Sequence, residues 1–175
     1  MTKRSESEKL LKKIPFQFET FLQQLIETWR INNKMHLLLI DNITDQGMQC
    51  TLSSRGGRTV YLQLVHVNNV RIGWLEHTAK EIFKKYSLLD KEKPFNRKAL
   101  RKAFEDSGKA IEELILLASK NNFQINGFKN GLVPFLGYLM THDAHHRGSI
   151  LLTLKQCGQK IPEAVKWGLW EWNKT

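Results

Sequence analysis

The sequence predicts an all-α domain, a four-helix bundle, on three observations. Apolar residues recur at spacings of three and four along four long segments. Glycine, proline and asparagine collect in the stretches between them. No repeat or low-complexity tract breaks the pattern, and 175 residues suit one domain with a core of its own.

Along the chain, residues 1–15 are expected to form a leader, loosely ordered or helical, and residues 16–175 the single domain. A first helix begins near Phe16, with Phe18, Leu22, Leu25 and Trp29 on one stripe. It continues through Asn33, His36 and Ile40 to about Ile43, with His36 placed as a boundary residue near its end. Residues 44–58 form a loop rich in glycine and serine, and Thr59 caps the second helix. That helix is expected from Val60 to Tyr86; its length outweighs the β-branched residues at its start. Pro94 closes a linker, and Asn96 caps a third helix running to about Lys120. Residues 121–131 form a loop. The fourth helix spans Leu132 to Gln156, with Pro134 in its first turn, Gly158 just past its end and Pro162 blocking continuation. The tail from Lys166 carries Trp167, Trp170 and Trp172 and is expected to pack against the bundle.

Composition narrows the function classes. Net charge is +10, but the basic residues are spread along the chain and interleaved with acids. They are expected to be solvated faces, so nucleic acid is not the expected partner. No segment approaches the ~20 apolar residues that span a bilayer, and no signal-peptide core comes after the charged N-terminus. A cytoplasmic protein without a membrane partner is therefore expected. Cys50 and Cys157 lie far apart in sequence and outside any CxxC pair, which predicts two ordinary reduced thiols. P-loop, dinucleotide and GxSxG motifs are absent.

The chemistry concentrates in YLMTHDAHHRGSI, residues 138–150. His142 and His146 are four residues apart, about 400° around a helix, so both imidazoles stand on one face roughly 6 Å apart along its axis. Phe135, Leu139 and Ile150 share that face, which turns both rings inward. Buried imidazoles are held neutral and still need partners; one divalent ion satisfies two acceptor nitrogens together. His66, mid-helix in LVHVNNV, is the best third ligand from another helix. Three imidazoles leave a position open for water or substrate, as catalytic sites do. Asn69 and Asp143 are candidates to orient a ligand ring or a water. Tyr138 is a candidate to donate to a bound group; Arg71 and Arg147 are candidates to meet an anionic substrate, although pairing with carboxylates is the stronger expectation for both. His77 lies too far along its helix to share the ion, and His145 is one step off the stripe. No catalytic residue is singled out.

These residues carry a resemblance. GRTVYLQLVHVNNVRIGWLEH, FLGYLMTHDAHHRGSILLTLKQCGQKIP and the closing GLWEW make the chain similar to the DinB family of metal-binding four-helix bundles, also described as DinB/YfiT-like. The resemblance runs from about Trp29 to Trp172. It implies a divalent ion on His66, His142 and His146; three neutral imidazoles suit zinc or nickel ahead of iron or manganese. Two positions depart from the family pattern: Asp143 stands where glutamate is frequent, and Asn68 where a second histidine is frequent. Characterised relatives include transferases and isomerases that use bacillithiol, mycothiol or glutathione. The resemblance therefore implies a thiol S-transferase-like enzyme with a small-molecule substrate and a low-molecular-weight thiol. Metal-dependent hydrolysis is the other enzymatic option. The alternative to an enzyme is a non-catalytic metal or small-ligand binding protein of a stress response. A homodimer is expected by the same resemblance.

Overall fold

The computed structural model describes residues 17–53, 55 and 57–174. The expected leader, residues 1–15, lies outside them. The described residues contain helices and no strand. Four long helices dominate: α1 (Phe18–Asn42), α3 (Val60–Thr78), α5 (Arg97–Ser119) and α6 (Leu132–Gln156). Three short helices join them or come after them: α2 (Asp45–Met48), α4 (Lys80–Phe83) and α7 (Glu163–Gly168). A 3₁₀ turn, Trp172–Lys174, ends the described chain.

The helix ends obey local chemistry. Thr59 Oγ1 accepts from Leu62 N, and Asn96 Oδ1 accepts from Ala99 N at 2.9 Å; each satisfies an orphan amide of a first turn. Gly158 takes φ +70°, the left-handed conformation that lets Gln159 N return to Leu154 O and close α6.

Three expectations are corrected. The second long helix stops at Thr78, not Tyr86. Ala79 leaves helical geometry, with φ −157° and ψ 70°, and breaks the helix there. The loop 44–58 holds a helical turn, α2, capped by Thr44 Oγ1 on Gly47 N. The tail packs only in part: Val165 and Leu169 bury one face against the bundle, while Trp167 and Trp170 are exposed.

α1 packs chiefly along α5 and α3 along α6; α3 also meets α5, and α1 meets α6. The long helices therefore stand in the ring α1–α5–α3–α6, with sequence neighbours α1 and α3 on a diagonal. Gly108 permits a close α1–α5 approach, since a Cβ there would strike Asn33, and its carbonyl accepts from Trp29 Nε1 at 2.9 Å.

Two apolar clusters fill the bundle. One gathers Leu39, Ile40, Leu64, Phe104 and Leu154; the other gathers Trp29, Ile72, Leu75, Ile111 and Phe135. A buried polar group adjoins both, comprising Asn32, His36, Arg71, Ser107 and Asp143. Arg71 lies within it, 4.9 Å from the Trp29 ring and 5.0 Å from the Phe104 ring, one from each cluster.

Candidate metal centre

α3 and α6 are direct neighbours, and their contact brings His66 against the α6 pair. The His66 ring centroid lies 5.2 Å from that of His142 and 4.9 Å from that of His146; the pair themselves are 4.7 Å apart. One ligand nitrogen from each of the three lies within 4.8 Å of the others. His66 Nε2 and His142 Nε2 are 3.3 Å apart. Two nitrogens bound to one tetrahedral ion at about 2.0–2.1 Å are themselves about 3.3 Å apart. The donor set therefore fits a divalent ion.

Electrostatics favour neutral rings here. Burial lowers the pKa of His66, and Arg58 and His142 lower it further. His146 is pushed down to about 4, first by burial and then by His142, His66, His145 and Arg58. Neutral imidazole is the form that offers a lone pair to a metal. His142 Nδ1 and His146 Nδ1 are buried without a hydrogen-bond partner among the described residues.

The buried group behind the site holds Asp143. Arg71 donates to its Oδ2 from Nη2 at 2.6 Å and from Nε at 3.2 Å, with both side chains fully buried. Asn32 Nδ2 donates to the same oxygen at 2.7 Å. Oδ1 has no hydrogen-bond partner among the described residues and faces His142 Nδ1 across 3.7 Å. Burial pushes the Asp143 carboxyl upward, but the Arg71 guanidinium, by its charge and its hydrogen bond, overcomes it and holds it far below the usual carboxylate range. A carboxylate behind a candidate ligand histidine is the partner that raises ligand basicity and orients the ring.

The other candidates sit elsewhere. Asn69 joins the main chain of Leu89 through two bonds of 2.8 Å and so anchors the linker after α4. Tyr138 stacks on His142 at 6.4 Å between centroids, and its hydroxyl accepts from Trp74 Nε1 at 3.4 Å. Arg147 Nη1 donates to Asn32 Oδ1 at 2.9 Å and lies 3.3 Å from His36 Nδ1. His145 is exposed, with its ring against His146.

Sequence reasoning misplaced or missed two groups. His36 is not a boundary residue: it is fully buried, stacked on Phe104, and its Nδ1 faces both Arg71 and Arg147. The Asn32 carbonyl oxygen lies 3.3 Å from the same nitrogen. The second group surrounds a cavity of about 310 Å³ beside His146, lined by Thr51, Arg58, Gln63, Ser149 and Thr153 among others. Gln63 precedes His66 by three residues and Ser149 comes three after His146. One helical turn from a ligand was the signal that could have found both.

The DinB family model matches residues 16–172. The chain belongs to the DinB family. A solved DinB-like protein from Bacillus cereus has the same fold, with a TM-score of 0.62 at 20% identity. The match covers 80% of this chain and 95% of that one. No match was found among curated protein sequences. This DinB chain thus carries a histidine triad compatible with a metal ion. No helix among its described residues is long and apolar enough to cross a membrane. Its cysteine thiols are free, yet the fold sets Cys50 beside Cys157, and Cys157 Sγ is 3.8 Å from Thr51 O.

Proposed function

We propose that this DinB-family chain is a divalent-metal-dependent enzyme that transfers a low-molecular-weight thiol to an electrophile, with the ion on His66, His142 and His146. The carrying observation is the 3.3 Å Nε2 pair next to a cavity that includes His146 in its wall. When bound, the ion supplies Lewis acidity, which lowers the pKa of a thiol or water at its open position.

The chain's own residues account for binding and orientation. Asp143 holds negative charge behind His142, so the ring keeps its lone pair for the ion. Arg58 lines the cavity and supplies a cation for the carboxylate of a peptide-like thiol. Gln63 Oε1 is buried with no hydrogen-bond partner among the described residues, and Ser149 lines the same wall; these are polar contacts for a cosubstrate.

Two measurements test this. Elemental analysis of protein purified without chelator and offered several divalent metals should find close to one ion per chain, and well under that for His142→Ala. Thiol consumption is then monitored with glutathione, bacillithiol or mycothiol and a model electrophile. Failure to load any ion overturns the metal site. Stoichiometric loading without accelerated transfer by any thiol makes the chain a non-catalytic metal binder.

A further inference from the structure

A second cavity, of about 620 Å³, lies on the far side of α6 from the histidines, within the size range of small-molecule sites. Its α6 residues, among them Gly137, Met140, Ala144 and Leu151, stand about 180° around the helix from His142 and His146. Met35 from α1 and Trp170 from the tail add apolar wall, and Trp170 is 79% exposed. Among the described residues, Arg147 is the only charged one lining the cavity.

That arginine has no carboxylate of its own among the described residues. Its Nη1 meets Asn32 and His36, while Nε and Nη2 find no acceptor there. The carboxylate nearby, Asp143, is taken up by Arg71 and Asn32. Two guanidiniums therefore share one carboxylate, and His36 is held neutral by burial. A guanidinium is a cation at neutral pH. A half-buried cation at an apolar groove, with only a shared counter-charge, is complementary to an anion with an apolar body.

We infer that this groove binds an amphipathic monocarboxylate, with its head group on Arg147 and its apolar body along Met35, Met140, Leu151 and Trp170. The guanidinium edge matches a carboxylate in a two-pronged geometry. A single cation, with no lysine or second arginine among the described residues of the groove, suits a monoanion better than a phosphate dianion. The site is independent of the metal-centre reading, because no described residue lines both cavities.

The test uses decanoate below its micellar concentration, with tryptophan fluorescence and calorimetry on the full chain. One decanoate per chain is expected, and 1-decanol should bind about tenfold or more weakly. Arg147→Met should weaken decanoate by about ten- to hundredfold, while Arg147→Lys keeps part of the affinity. Ala144→Trp fills the exposed groove without entering the core and should abolish binding; it keeps the test open if Arg147→Met fails to fold. His142→Ala should bind decanoate as the wild type does, which separates the groove from carboxylate binding to a metal. Equal affinity for decanoate and decanol, loss of binding in His142→Ala, or no saturable binding overturns the proposal. So does an Ala144→Trp variant that dissociates a dimer while decanoate affinity holds, since the groove would then be a surface between two copies.

Discussion

Asp143 is engaged on both sides of its carboxyl: Oδ2 accepts from Arg71 and Asn32, and Oδ1 faces His142. Because Arg71 has no exposed surface, removing its counter-charge leaves a cation buried between two aromatic rings. Asp143→Asn should cost about 3–5 kcal/mol in urea denaturation, and Arg71→Met/Asp143→Leu together should cost less than the single change. If the double variant is no better, the penalty comes from packing and not from the stranded charge. Asp143→Asn should also weaken metal binding by about 10–100-fold, read by competition with a chelator. At this scale part of the centre was legible from sequence. The spacing of His142 and His146 is intrinsic to one helix. His36 was misplaced because its neighbours on the chain do not reveal Arg71 and Arg147, which arrive from two other helices.

Helix ends depend on a few local bonds, and so do the connections between helices. Asn69 projects from α3 and holds both the amide and the carbonyl of Leu89, the one point where a side chain of α3 clasps the segment leading to α5 among the described hydrogen bonds. Asn69→Ala should therefore destabilise by about 1–3 kcal/mol, and the Leu89 amide should lose hydrogen-exchange protection. Unchanged exchange at Leu89 would mean the linker is held by its apolar contacts instead. α1 and α5 are tied at one end by Arg97, which donates to the carbonyls of Ile40 and Ile43 and pairs with Asp45. The caps at Thr59 and Asn96 were readable because a cap acts within four residues. The break at Ala79 was not, since Lys80–Phe83 continues in helical geometry and the apolar spacing runs on across it.

Across the whole molecule, buried imidazoles set the response to acid. His146 is held down to about 4 and His36 well below its ordinary value. For His36 burial dominates, Asp143 opposes it, and Arg71 and Arg147 reinforce it. The unfolded chain protonates the same rings near pH 6.5. Between about pH 6.5 and 4 the unfolded state binds more protons, so stability rises with pH across that window. The Tm of metal-free protein should fall steadily from pH 7 to pH 4 and stay nearly level from pH 7 to 8. Bound metal should be released over the acid part of the same window, because protons compete for the same nitrogens. Asp143 adds a further loss below about pH 4, where the unfolded carboxyl takes its proton and the folded one does not. A Tm independent of pH between 7 and 4.5 would show that these rings are not held neutral.

The amino-acid sequence by itself determined the helical class, the positions of most helix ends and the inward pair His142–His146. All three depend on interactions within a few residues along one helix. The ring order of the helices was decided only by tertiary packing. That order places His66 of α3 against α6, and puts Arg71 of α3 and Asn32 of α1 on Asp143 of α6. It also left Arg147 short of a carboxylate beside an apolar groove. Periodicity states which face of a helix is buried, but a ligand set or a counter-charge is a relation between faces. Those relations exist only once the crossings of the helices have been chosen.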